Sequence, residues 1–172
     1  MMNAPANGCV DRPSLAFNRV FILQHCFGHF CSHGVGLRQL LDYYYVLMQG
    51  FSEDERKETM RWIVQLGMKR FTAAMMWLCK EVFMMPEDNC LCKPNEKYGR
   101  FLLSEVMLTG NMGHQDKRVD QKKLRSAFGR YLHNIKRDWQ VIRIAPSYAL
   151  WEPIWGIYQF TWVRIMNLRY NK

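Results

Sequence analysis

The 172-residue chain lacks the motifs by which many catalysts announce themselves. It contains no Gly-x-x-x-x-Gly-Lys-Ser/Thr loop, no Gly-x-Ser-x-Gly elbow and no His-Glu-x-x-His pair, so three common routes to phosphoryl, acyl and zinc chemistry are missing. Strand-like alternation is nearly absent, and no strand–glycine loop–helix unit can be drawn. There is also no long uncharged run. The most apolar stretch, Tyr148 to Met166, is interrupted by Glu152, Pro153, Gln159 and Arg164, whereas a membrane span needs about 20 nearly uncharged residues. Met1 to Val10 shows no basic segment followed by an apolar one, so no signal peptide is visible. The expectation is a soluble, cytoplasmic protein, without a membrane partner, whose six cysteines are reduced thiols.

Acidic residues are scarce too. Fifteen Asp and Glu face twenty-four Lys and Arg, a formal net charge of +9. That balance suits nucleic acid, nucleotide phosphates or an acidic protein, and says nothing about fold. Apolar residues form 49% of the chain, enough to expect a folded core rather than a disordered segment.

What is present reads as helix almost throughout. A first helix over Phe17–Ser32 carries Val20, Gln24, Phe27 and Cys31 on one stripe, with Phe21, Leu23 and Phe30 beside it. Gly34 and Gly36 break it, and a second helix runs from Leu37 to Gln49. Ser52 and Glu55 have the spacing of a capping box, with Glu53, Asp54 and Glu55 at the positive end of a third helix that reaches about Leu66. A fourth over Lys69–Phe83 turns Phe71, Met75, Leu78, Cys79 and Val82 inward. Glu87–Gly99 reads as a loop and Arg100–Leu108 as a helix. Asp116–Ile144 reads as one long basic helix, stopped by Pro146, with Phe128, Tyr131 and Trp139 on its buried side. The last helix is expected from about Trp151 to Asn167. The fold class is therefore all-α, an irregular bundle of about seven helices, over residues 17–172 behind a flexible tail of residues 1–16.

Several groupings carry chemistry. His25, His29 and His33 recur every fourth residue and fall roughly on one face. They can chelate a metal or hydrogen-bond across a helix seam. A fixed ligand set is lacking, so no metal residue is assigned. The turn Gly34-Val35-Gly36 leads into a helix whose second residue is Arg38. Free N–H groups at a helix start, close approach permitted by glycine and a guanidinium together suit an anion. The competing reading is a two-glycine corner, with Arg38 pairing to Asp42 one turn on. Cys90-Leu91-Cys92 offers too few ligands for zinc. The basic helix, with Lys117, Lys122, Arg125, Lys136 and Arg137, can follow a phosphate backbone or present a solvated face. Trp151, Trp155, Tyr158 and Trp162 form an aromatic stripe that is core if buried and a docking surface if exposed.

The run from His25 through Gly34-Val-Gly-Leu-Arg38-Gln-Leu-Leu-Asp42-Tyr resembles the start of the helical half in a family of uncharacterised bacterial nucleotidyltransferase-like proteins. Gln65-Leu-Gly-Met-Lys69 and Pro146…Trp151-Glu-Pro153 look similar too, so the resemblance spans nearly the whole chain from Phe17. It implies that an α/β catalytic domain, with a Gly-Ser loop and an Asp-x-Asp pair for Mg²⁺ and a nucleoside triphosphate, belongs with this half. The chain contains neither dipeptide loop nor acidic pair. The expected role is thus an accessory helical module, truncated or split from its catalytic domain, which a separate chain would supply together with Mg²⁺ and the triphosphate. No cofactor and no catalytic residue are expected in this chain. His25, His29, His33, Gly34, Gly36, Arg38 and Asp42 are the expected substrate-facing or anion-binding residues. The alternatives are a stand-alone basic helical protein that binds nucleic acid or an acidic partner, and a metal-dependent hydrolase using the three histidines.

Overall fold

A computed structural model describes residues 13–32, 34–109 and 127–170. Among them are seven α-helices and no strand: α1 (Leu15–Ser32), α2 (Leu37–Met48), α3 (Glu53–Gln65), α4 (Lys69–Phe83), α5 (Glu96–Thr109), α6 (Ala127–Val141) and α7 (Pro146–Tyr170). A single 3-10 turn, Glu87–Asn89, lies between α4 and α5. The all-helical class follows directly from the spacing of the apolar residues.

Local chemistry sets the boundaries. Ser14 Oγ accepts from the Phe17 N–H at 3.2 Å, so α1 begins at Leu15, ahead of the start read from periodicity. The Ser52–Glu55 capping box is complete: Ser52 N–H donates to Glu55 Oε2 at 2.8 Å, and Glu55 N–H to Ser52 Oγ at 3.2 Å. Gly67, at φ 72°, turns the chain after α3, and the N–H of Met68 then reaches back to Ile63 O at 3.0 Å. Glu87–Gly99 is not wholly a loop. Asn95 Oδ1 accepts from the Tyr98 N–H at 3.0 Å and starts α5 at Glu96. Pro146 does not only stop the preceding segment; it opens α7, where its missing N–H costs nothing. Pro153 then stands inside that helix.

The core gathers Leu23, Cys26 and Phe30 of α1, Leu40, Tyr43 and Leu47 of α2, Ile63 of α3, the inward face of α4, and Leu102 and Val106 of α5. The α4–α5 pair is the most extensive helix contact, and α1 packs on α2, α3 and α6. Phe30 and Phe71 lie 5.4 Å apart at its centre, with Phe27 at 5.3 Å from Phe71. Of the apolar face expected for α1, Leu23, Phe30 and Cys31 are buried as expected, whereas Gln24 and Phe21 face solvent and Arg19 and Cys26 turn in. Val82 and Trp139 are exposed, contrary to expectation. α6 ends at Val141, and the section 116–126 of the long basic helix lies outside the described residues.

Two arginines are sunk into this frame. Arg19 donates to Glu55 Oε1 at 3.1 Å and Gly50 O at 2.8 Å, and its guanidinium lies 5.2 Å from the Phe51 ring centre. Arg137 donates to Glu105 Oε2 and to Phe30 O at 2.6 Å and covers the Phe30 ring. Arg137 thereby pairs a Glu105 carboxylate that is itself buried, whereas the Glu55 partner of Arg19 remains partly exposed. Arg137 is 7% exposed, so it cannot follow a phosphate backbone; its place on a solvated basic face is corrected.

Candidate functional site

The expected site residues fall at the α1–α2 corner. Phe17, Phe21, His25 and His29, at successive helical turns of α1, form a continuous run of rings. Phe17 stacks on Phe21 at 5.3 Å, Phe21 on His25 at 6.5 Å, and His25 meets His29 edge-on at 4.5 Å. His25 is exposed and His29 partly so. The structure therefore brings these two imidazoles together. His33 lies outside the described residues.

The glycine turn is closed by its own hydrogen bonds. Gly34, at φ 101°, donates to His29 O at 2.7 Å, and a Cβ added there would sit 2.5 Å from Thr109 Oγ1. Gly34 is thus required by backbone conformation and by the close approach of α5. Gly36 N–H donates to Gln39 Oε1 at 2.8 Å, and Gly36 O accepts from the Gln39 and Leu40 N–H groups. Gly34, Val35 and Gly36 are all buried. The N–H groups of the two glycines are therefore spent inside the protein. Since the Gln39 and Leu40 N–H groups are taken by Gly36 O, the donors that remain for an anion in the first turn of α2 are the N–H groups of Leu37 and Arg38, which have no intrahelical acceptor, and the side chain of the exposed Arg38. Asp42 is exposed one turn further on, and no ion pair joins it to Arg38 among the described residues.

Thiol chemistry is suppressed. Cys26 Sγ donates to Gln39 O at 3.4 Å, pinning α1 to α2; burial, then the nearby Asp42, pushes its pKa up to about 12. Burial raises Cys79 to about 12 and Cys92 to about 11, and lifts Cys31 and Cys90 as well. These cysteines stay protonated at neutral pH, which disfavours them as nucleophiles. Among the described residues no three His, Cys, Asp or Glu side chains converge to hold a metal. The described donor set does not fit the Mg²⁺ of a nucleotidyl-transfer centre, which needs grouped oxygen ligands.

Two features were not legible in the sequence. A groove of about 260 Å³ runs between α1 and α3, lined by Ala16, Phe17, Val20, Glu55, Glu58, Thr59 and Trp62. Its carboxylates disfavour a phosphate, and it lies away from the glycine turn. The second is the polar cluster under α7. Asp138, 4% exposed, follows Arg137 and has its Oδ2 unpartnered among the described residues. Burial, then Glu152 of α7, raises its pKa to about 6, against the lowering effect of Arg137. A buried aspartate beside an arginine is invisible to periodicity, because the same letters normally mark a solvated face.

The sequence model of a family described as "Uncharacterised nucleotidyltransferase" matches residues 3–84. That is just under half of the chain and takes in α1 to α4, including the whole corner from His25 to Asp42 and the Gln65–Lys69 segment. The likeness is narrower than expected, for it does not reach Pro146…Pro153. No curated protein and no solved structure matches the chain. No helix among the described residues is long and apolar enough to cross a membrane.

Proposed function

We propose that this chain is the helical, non-catalytic part of a nucleotidyltransferase-like protein, and that the α1–α2 corner contacts the phosphates of a nucleotide or acceptor. The observation that carries this reading is the family match over residues 3–84, inside which the exposed Arg38 sits in the first turn of α2. The helix start and the guanidinium supply donors for an anion, and the exposed His25 lies on the preceding helix, edge-on to the partly buried His29. Catalytic carboxylates, with Mg²⁺ and the nucleoside triphosphate, would come from a partner chain.

Calorimetric titration of the chain with ATP, with and without Mg²⁺, tests the contact. Arg38→Ala should weaken binding by about 10- to 100-fold, the worth of one or two charge-assisted hydrogen bonds, with the helical circular dichroism unchanged. Equal heats for Arg38→Ala and the parent, or no binding by the parent, would sink the assignment.

A further inference from the structure

Helix α7 packs against α6 and makes no contact of comparable extent with another helix. Gly156 lies on the side that meets α6, where an added Cβ would be 3.7 Å from the Tyr131 ring of that helix. On the opposite side Trp151, Ile154, Tyr158, Trp162 and Ile165 are 63, 56, 55, 53 and 48% exposed. Beyond Gly156 even the side that continues the α6-facing stripe is open, at Phe160 and Val163. We propose that α7 is a self-association surface, on which two copies of this chain pair antiparallel about Tyr158.

The spacing commits the surface to a second copy. The five stripe positions advance by 3, 4, 4 and 3 residues, a pattern that reads the same in both directions about Tyr158. Tyr158 is also the midpoint of Pro146–Tyr170. A two-fold axis there places each Trp151 level with Ile165 of the second copy and each Trp162 level with its Ile154. Large rings thus meet smaller branched chains, as an isologous interface requires. No charged residue occurs between Glu152 and Arg164, so the net charge of +9 sets no like charges across the seam. The projecting half of α7 would lie along the anchored half of the other copy.

The area is sufficient. Five large side chains at about half exposure present on the order of 500 Å². The flanking Trp155 and Ile157 bring this toward the roughly 800 Å² per partner of a stable interface. The ring stack Trp155–Tyr158–Trp162, at 5.4 and 6.4 Å, already orders that edge in the single chain.

Sedimentation of the full chain across a concentration series should show a species of twice 20.6 kDa. Tyr158→Glu, which sets two carboxylates together at the axis, should return it to monomer with its helicity intact. Trp62→Glu, at a comparably exposed tryptophan on α3, should leave the dimer in place. Mixing Ile154→Cys with Trp162→Cys chains should give the mixed disulfide in preference to either symmetric one. A monomer at every concentration, a dimer indifferent to Tyr158→Glu, or preferred symmetric disulfides would each overturn the proposal. A monomer that instead floats with anionic phospholipid vesicles, and loses this with Trp162→Glu, overturns it in favour of a lipid partner.

Discussion

Gly99 and Gly156 both stand within helices, α5 and α7, and both lie under an aromatic ring, yet the space around them differs sharply. A Cβ at Gly99 would come within 2.2 Å of Trp77 Cε3 and 2.7 Å of its Cβ, so α4 and α5 touch nearly backbone to ring. A Cβ at Gly156 would meet Tyr131 at 3.7 Å, an ordinary van der Waals distance. The first glycine belongs to an interlocked body and the second to a helix laid on that body's edge. The same contrast runs through the aromatics. Phe30 and Phe71 are fully buried, whereas the tryptophans of α7 are about half exposed or more. Helices built from equally apolar residues thus contribute to different ends, one to the interior and the other to a surface.

The comparison breaks most readily at the aromatics. Phe30→Ala removes the ring beneath Arg137 and opens a cavity, and should cost about 3–5 kcal/mol in urea unfolding. Trp162→Ala should cost under about 1 kcal/mol, measured at concentrations low enough that association adds nothing. Similar losses at both sites would mean that α7 is as much part of the body as α1.

Alanine at the two glycines should act with opposite signs. Gly99→Ala must displace Trp77 and should destabilise by about 1–3 kcal/mol. Gly156→Ala fits without displacement and should stabilise by about 0.5–1 kcal/mol, because glycine carries the larger entropy loss in a helix. Thermal melts of both variants against the parent decide the matter.

A smaller effect lies at the joint between body and arm. Asp138 sits between Arg137 of its own helix and Glu152 of α7, with Tyr148 and Cys31 nearby. Its pKa is raised on folding to about 6, so the folded state holds that proton more tightly than the unfolded one. Stability should therefore increase as pH falls through about 6, and the charged form should weaken the joint above it. Asp138→Asn should be more stable than the parent above that pH, with the gap closing below it. Paired melts from mildly acid to mildly alkaline buffer would show this, and parallel curves would remove Asp138 from the account.

The helices were largely legible because helix periodicity and capping are local. Ser52 and Glu55 stand three residues apart, and Phe71, Met75 and Leu78 lie on one face of a continuous helix. The start of α5 was present in the letters Pro94-Asn95-Glu96 but was outweighed by the polar composition around it. At the candidate site, the glycine turn was visible, and His25 and His29 do meet. Hidden from view was Thr109, far along the chain, which fills the space that Gly34 leaves and closes the turn. The buried ionic groups were hidden for the same reason.

By itself, then, the sequence determined that this is an all-helical protein, where most helices begin and end, and that its His25–Asp42 corner carries the family likeness. Those properties depend on contacts within a few residues. Tertiary structure decided which arginines are buried, which N–H groups remain for a ligand, and that the most aromatic helix lies on the outside. Such outcomes depend on what another helix places opposite a given face, and a residue's own neighbours in the chain do not contain that information.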